Sequence, residues 1–317
     1  MIVSALIGLV VVIVLGLAGD IRQVGQSFIT FEWAMLPAIL GFTLLNYILR
    51  WLKWDYYLRR MQMHQGVGRG DSALLFTSGM VMSVTPGKVG EVLKSYLLKQ
   101  VNGTPISASA PIVLAERLTD GLAMLLLMAF GLTLYPAARP AFFALLLLTA
   151  AGLAALQFRP LMERLLNIVA RLPRGDKIAP RLMTAYVSSR RLLSWRLLLV
   201  STVISLVSWF GECVAFYYVL RGLGMPPSYL LLLQATFIFA ASTLFGLVSF
   251  LPGGLGVSEA SSAGLLVLLI PIADGALAAA SRIVGTEHAG AASRHHNAAA
   301  AGRGTVKQRG QSPLRSR

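Results

Sequence analysis

Long apolar runs separated by short polar stretches make up most of the chain. The runs lie at about 1–19, 33–52, 72–84, 111–135, 139–158, 196–220, 229–251 and 258–280. Most contain about 20 residues, which as a helix are enough to cross the roughly 30 Å hydrocarbon core of a bilayer. Because the runs are continuous and do not alternate with polar residues, they predict membrane helices rather than the strands of a barrel. The pattern therefore predicts an all-α, polytopic membrane bundle of about seven or eight segments.

The composition excludes a soluble enzyme. Of the 317 residues, 56% are hydrophobic and 13% are charged, whereas soluble domains carry about 25% charged residues. The net charge of +15 is placed between the apolar runs, which favours membrane orientation and anionic headgroups over nucleic acid as its explanation. A lone cysteine, Cys213, allows no intrachain disulfide.

Basic residues are concentrated in two of the polar stretches. The stretch near 50–71 contains Arg50, Lys53, Arg59, Arg60 and Arg69, and the stretch 159–196 contains nine Lys or Arg. The stretches near 20–32, 135–140 and 221–228 contain one Arg each. Since cytoplasmic loops carry the excess of positive charge, we expect the two basic stretches and the N-terminus to lie in the cytoplasm.

Two of these polar regions have further features. The stretch 159–196 mixes its cations with Leu, Ile and Met. It is compatible either with a helix lying on the inner leaflet or with a solvated loop that only sets topology. The aromatic residues Trp51, Trp54, Tyr56 and Tyr57 predict a belt at the membrane–water interface.

Residues 72–110 must enter and leave the membrane on the same side. The segment before Lys53 ends in the cytoplasm, and the segment 111–135 has to end outside, near Arg139. The apolar run 72–84 has only 13 residues before Pro86, too few to span the bilayer as a helix. A re-entrant hairpin satisfies both facts, and its non-helical backbone must be buried in protein or line a wet cavity.

The bend of this hairpin has a second copy later in the chain. Thr85–Glu91 reads TPGKVGE and Leu251–Glu259 reads LPGGLGVSE, so both contain Pro-Gly-x-x-Gly and a nearby Glu. The second bend is approached from the outside, which predicts two re-entrant hairpins in an inverted repeat. Gly- or Pro-broken segments in corresponding positions of two halves are typical of a transport site. The alternative is that Pro-Gly pairs here are ordinary loop punctuation.

Charged and polar residues at membrane depth are the candidate site. A carboxylate at mid-membrane costs about 2.5–3.5 kcal/mol, so each is a functional candidate by default. Glu116 and Asp120 share one face of a helix with Arg117 between them, and Lys94 follows Glu91. The predicted substrate-binding or translocation residues are Asn46, Arg50, Pro86, Gly87, Lys88, Gly90, Glu91, Lys94, Glu116, Arg117, Asp120, Pro252, Gly253, Gly254, Gly256 and Glu259.

Two interpretations of these charges remain open. In the first, a polar cavity uses Arg and Lys to hold a phosphate headgroup, and the acids orient those cations or take a proton. In the second, the charges only pair with one another and hold the bundle together. The chain contains no GxxxxGK[ST], H-E-x-x-H, Cys/His ligand set or G-x-S-x-G motif. We therefore expect no enzymatic activity, no cofactor and no metal.

These motifs together resemble the lysylphosphatidylglycerol synthase transmembrane region family, also called the flippase-like domain family. The resemblance covers about residues 1–283 and rests on Asn46–Arg50 with Trp51, the two bends, and the sequence Glu116–Asp120. It implies a multi-pass protein of a bacterial or archaeal inner membrane. For members of this family, flipping of lipids or lipid-linked glycans has been proposed.

The chain departs from the resembled family in two places. The soluble aminoacyl-transferase domain of the bifunctional synthases is missing, so synthase activity is not expected. Where family members continue with another apolar helix, residues 284–317 instead form an Ala-, Gly-, Arg- and His-containing stretch. We expect a membrane domain over 1–283, followed by a disordered basic tail that is a non-native or truncated end.

The predicted function is the movement of an anionic lipid or lipid-linked glycan between leaflets, with membrane lipids as the partners. One alternative is a membrane-embedded enzyme that modifies lipid headgroups. Another is a non-catalytic membrane partner of lipid biosynthesis enzymes.

Overall fold

The structure, a computed structural model, describes residues 29–81, 91–171, 175–249, 254 and 256–270. Within these ranges the chain forms α-helices and 3-10 turns, and no strand. The helices are α1 Leu36–Arg60, α2 Arg69–Val81, α3 Leu93–Asn102, α4 Ile106–Gly131, α5 Arg139–Gln157, α6 Arg159–Ala170, α7 Gly175–Leu192, α8 Trp195–Gly222, α9 Tyr229–Val248 and α10 Val257–Leu269. Pro86, Gly87, Lys88, Gly90, Pro252, Gly253 and the predicted tail 284–317 lie outside the described residues.

Four helical stretches are long and apolar enough to cross a membrane. They are Trp33–Arg60, Pro136–Gln157, Trp195–Gly222 and Tyr229–Val248, which contain α1, α5, α8 and α9. The 26 residues of α4 extend about 39 Å, which is also sufficient to span, but α4 carries Glu116, Arg117 and Asp120 near its middle. The predicted all-α, multi-pass membrane architecture is confirmed.

Helix α4 lies at the centre of the bundle, in contact with α1, α3, α5, α7, α8 and α9. One apolar cluster packs around the second half of α4, with Met128, Phe237 and Leu244 among its buried members. A second cluster surrounds the first half of α4, with Trp54 and Ile112 among its members. Residues 116–120 of α4 therefore lie between two apolar clusters, where a charge needs a protein partner.

The predicted aromatic belt is wrong for two of its members. Trp54 and Tyr57 have no exposed surface and belong to the second apolar cluster. Both lie near the end of α1, on the face that packs into the bundle. Large apolar side chains that do face outward lie elsewhere, for example Leu44 on α1 and Leu147 on α5. They supply the lipid-facing surface that a membrane span requires.

The helices before and after each Pro-Gly motif pack against each other. Helix α2 contacts α3 across the first bend, and α9 contacts α10 across the second. At the second bend Gly254 and Gly256 have φ of +76° and +86°, a region that residues with a Cβ rarely adopt. Gly246 of α9 lies directly against Ser258 of α10 and leaves no room for a Cβ. The inverted repeat and the re-entry into the membrane stay predictions.

The described parts of the basic stretch 159–196, residues 159–171 and 175–196, are mainly helical. Helix α7 packs against α4 and buries Tyr186 and Leu192. Helix α6 packs on α5 and α7, and none of its residues is buried. Its Leu161, Leu165 and Ile168 are exposed on one face, the spacing of an amphipathic helix.

Candidate functional site

The innermost part of the site is a salt bridge between α1 and α4. Lys53 Nζ lies 2.5 Å from Asp120 Oδ1, and the two side chains are 1% and 6% exposed. Lys53 Nζ also donates to Ser205 Oγ at 2.7 Å, and Ser205 Oγ donates to the same Asp120 oxygen at 2.9 Å. These contacts join α1, α4 and α8 through hydrogen bonds to the Lys53 ammonium and to one oxygen of the Asp120 carboxylate.

A second buried pair joins α3 to α4. Lys94 Nζ lies 2.6 Å from Glu116 Oε2, again with almost no exposure. The ammonium group also lies 4.6 Å from the centre of the Trp54 ring and 5.4 Å from that of Phe76, within the range of cation–π attraction. Gly79 of α2 lies against the Lys94 stem, with no space for a Cβ. The missing side chain lets Lys94 reach Glu116.

Arg117 is held differently from the two lysines. Its Nε lies 3.4 Å from Glu91 Oε2 and its terminal nitrogen 3.3 Å from Asp120 Oδ2. Neither contact is a hydrogen bond, because Arg117 Nε, Glu91 Oε2 and Asp120 Oδ2 all lack a hydrogen-bond partner. The Arg117 side chain is also 19% exposed, more than its ionic neighbours Glu91 and Asp120, at 4% and 6%.

A small cavity lies beside Arg117, between α4, α8 and α9. Its volume is about 30 Å³, enough for one water molecule. Arg50 approaches from α1, with its guanidinium 5.5 Å from the centre of the Trp209 ring. The cavity is lined by Arg117, Asp120, Gly121, Met124, Trp209, Thr243, Leu244 and Leu247. Arg50 therefore contacts an indole that lines the cavity, and Arg117 borders a space that has room for water.

Two further predicted site residues, Asn46 and Glu259, make hydrogen bonds within the bundle. Asn46 Nδ2 donates to the Ser208 carbonyl at 3.0 Å, and Ser208 Oγ donates to the Asn46 carbonyl at 3.2 Å, which fixes α1 against α8. Glu259 Oε2 accepts from the Gly256 amide at 2.7 Å and so caps the start of α10. Among the contacts of the described residues, neither joins the ionic network around Arg117.

Of the predicted residues, the structure brings together Glu91, Lys94, Glu116, Arg117 and Asp120. The sequence analysis did not predict Lys53 as a site residue, because it assigned Lys53 to a basic cytoplasmic loop near residues 50–71. This was wrong, because Lys53 lies within α1 and is buried. A usable signal was present, since Asn46, Arg50 and Lys53 are spaced i, i+4 and i+7 and share a helix face.

Ser205 was missed as well. It belongs to a row of buried serines on α8, Ser201, Ser205 and Ser208, again at i, i+4 and i+7. A polar row on an otherwise apolar helix marks the face that meets a polar partner. Within the described residues, no group of three or more His, Cys, Asp or Glu is placed to hold a metal ion.

Comparison with known proteins agrees with this architecture. The family model described as the lysylphosphatidylglycerol synthase TM region matches residues 1–285. The chain is also similar to a UPF0104 membrane protein of Methanothermobacter thermautotrophicus, with 30% identity over 216 residues. That match covers 62% of this chain and 63% of the relative. No solved structure matches the chain significantly.

Proposed function

Because the chain belongs to the lysylphosphatidylglycerol synthase transmembrane region family, we propose that it moves an anionic lipid or lipid-linked glycan between membrane leaflets. The membrane is the inner membrane of a bacterium or archaeon, and the N-terminus lies in the cytoplasm. The protein leaves the covalent structure of the lipid unchanged, and Arg117 is the group that contacts the lipid phosphate.

The observation that carries this proposal is the loose hold on Arg117. Lys53 and Lys94 are committed to carboxylates at 2.5 and 2.6 Å in fully buried surroundings. Arg117 instead stands between Glu91 and Asp120 without a hydrogen bond to either. A guanidinium binds phosphate through two parallel hydrogen bonds. A phosphate would therefore supply the hydrogen bonds that Arg117 does not make with Glu91 and Asp120.

The neighbourhood of Arg117 supports the same assignment. The adjoining cavity has room for one water molecule beside the guanidinium, and Arg50 brings a second positive charge to Trp209, which lines the same cavity. An ionisable group inside a membrane protein typically faces such a wet interior and marks the path of a substrate. The two lysine pairs then hold α1, α3, α4 and α8 in place around that path.

Reconstitution tests the proposal directly. Purified protein is placed in vesicles that contain fluorescent phosphatidylglycerol, and the fraction accessible to an external quencher is followed with time. The wild-type protein should move the probe, Arg117→Gln should lose at least about tenfold in rate, and exposed Arg139→Gln should match the wild type.

Two outcomes would contradict the proposal. A wild-type protein that leaves the probe in its original leaflet removes the transport function. A probe recovered with an altered headgroup mass favours the alternative of a headgroup-modifying enzyme. Mass spectrometry of the recovered lipid separates the two.

A further inference from the structure

Helices α6 and α7 pack against each other and enclose a groove that the proposed transport site does not use. The groove consists of two adjoining cavities of about 460 and 500 Å³, which share Met183. The first is cationic and is lined by Arg159, Met183, Tyr186, Val187, Arg190, Arg191 and Ser194. The second is mainly apolar and is lined by Glu163, Leu166, Asn167, Ala170, Ala179, Pro180 and Met183.

Polar groups in the cationic cavity lack partners. Tyr186 is only 7% exposed, yet its hydroxyl has no hydrogen-bond partner. The Nε of Arg190 is also buried without a partner. Buried polar groups left in this state are costly, and the two donors lie beside the same cavity. Arg159 uses one of its donors within the helix, since its Nε donates to Glu163 at 2.6 Å. Most of its side chain remains exposed.

The chemistry of this cavity selects its occupant. Three arginines and two hydroxyls are all donors to an anion, and guanidinium groups match the oxygens of a phosphate in pairs. The adjoining cavity offers apolar walls from Leu166, Pro180 and Met183, while α6 exposes Leu161, Leu165 and Ile168 on its opposite face. A helix with such an apolar face beside cations lies at the membrane surface. A headgroup with its acyl chains matches both halves of the groove, whereas a free anion matches only one.

We propose that the α6–α7 groove binds the phosphate headgroup of an anionic membrane lipid on the cytoplasmic side. The bound lipid is a resident of the groove and not the cargo, because none of the groove residues belongs to the Arg117 site. The positive-inside rule places this stretch in the cytoplasm, where the inner leaflet supplies anionic lipids.

The test measures binding of dioleoylphosphatidylglycerol to the full-length protein in detergent by native mass spectrometry. The double variant Arg190→Gln/Arg191→Gln removes two cations of the cavity. The matched control Arg171→Gln/Arg181→Gln removes two exposed cations from the same stretch, neither of which lines the groove. We expect Kd to rise about tenfold or more in the first variant and less than about twofold in the control.

Three outcomes would overturn the proposal. An equal loss in both double variants shows a diffuse attraction between basic residues and anionic lipid. Equal binding of dioleoylphosphatidylcholine shows that the arginines do not select a net anionic headgroup. Displacement of the lipid by inorganic phosphate at a similar concentration shows a site for soluble anions.

Tyr186→Phe provides a second test that keeps every charge. It removes the unpartnered hydroxyl, so the folded variant should bind the lipid about threefold to tenfold more weakly, and unchanged binding would contradict the role of the cavity. Arg117→Gln should leave this binding intact. A failure of the transport proposal is therefore distinguishable from a failure of the groove proposal.

Discussion

On one helix, α4, Asp120 meets Lys53 at 2.5 Å while Arg117 meets Glu91 at 3.4 Å. The first pair is completed by Ser205, which bonds to both partners. The second pair has no hydrogen bond, and its arginine is partly exposed beside a cavity. Charges three residues apart on one helix are thus held in opposite ways.

We infer that this difference separates ion pairs that stabilise the fold from an arginine that is free to bind a substrate. A buried pair is stable only when good geometry and extra hydrogen bonds offset the loss of water. The Lys53 network is nearer to that condition, because Lys53 and Ser205 both donate to Asp120 Oδ1. The contacts of Arg117 do not meet it, so its partners can be exchanged at a smaller cost. We infer that the lysine pairs maintain the shape of the site and that Arg117 changes partners when a lipid phosphate arrives.

The largest effect on this comparison should come from Lys53→Met. The change leaves Asp120 buried beside Ser205 without its closest cation, and removal of one partner of a buried pair costs about 3–5 kcal/mol. The free energy of unfolding in detergent measures the loss. Adding Asp120→Asn should restore part of it, because the uncompensated charge is removed. If the Lys53→Met variant were as stable as the wild type, the Lys53–Asp120 salt bridge would not contribute to the stability of the fold.

Gly79→Ala should weaken the second lysine pair. The added methyl would collide with the Lys94 stem and push the ammonium away from Glu116, at a cost of about 1–3 kcal/mol for such overpacking. Thermal unfolding of the purified protein measures it. Gly70→Ala is the matched control on the same helix, where a Cβ would meet nothing within 4 Å. Equal stability of the two variants would contradict the packing described for Lys94.

Ser205→Ala tests the hydrogen bonds that complete the Lys53–Asp120 pair. It removes one donor to the carboxylate and one acceptor from the ammonium, and we expect a loss of about 1.5–3 kcal/mol. The matched control is Ser242→Ala, since Ser242 is equally buried on α9 and its hydroxyl has no partner. The free energies of unfolding of the two variants, measured by chemical unfolding, should therefore differ. Equal values would show that Ser205 does not stabilise the Lys53–Asp120 pair.

The smallest effect on stability should come from Glu91→Gln. Glu91 makes no hydrogen bond to Arg117, and Asp120 remains nearby, so the expected loss is below about 1 kcal/mol. Glu116→Gln, the corresponding change at the tight pair, should cost several times more. Unfolding midpoints that rank the two variants in the reverse order would invalidate the distinction between tight and loose pairs.

The sequence identified most of the charged residues of this ionic network for a simple reason. Glu91, Glu116, Arg117 and Asp120 lie within or beside apolar runs, and charges at that depth must find partners. The prediction missed Lys53, because a rule that counts basic residues cannot distinguish a buried lysine from a lysine in a loop. Its acceptor Ser205 is 152 positions away, so the partnership depends on the packing of α1 against α8.

The residues near the bends show a different limit. Glu259 matched Glu91 by its place after a Pro-Gly motif, yet its carboxylate caps its own helix, and among the described residues it forms no ion pair with a cation. Motif similarity specifies backbone geometry at a turn, but it leaves open which neighbour a side chain meets. The all-α membrane architecture was easier to predict, because continuous apolar runs determine it locally.

The most direct test of the account is the rate at which Arg117→Lys moves fluorescent phosphatidylglycerol between the leaflets of reconstituted vesicles. Lysine keeps the positive charge between Glu91 and Asp120 but loses the paired donors that match phosphate. The account predicts an unfolding free energy within about 1 kcal/mol of the wild type and a translocation rate at least about tenfold lower. A variant that moves the lipid at the wild-type rate would show that Arg117 serves only as a structural charge.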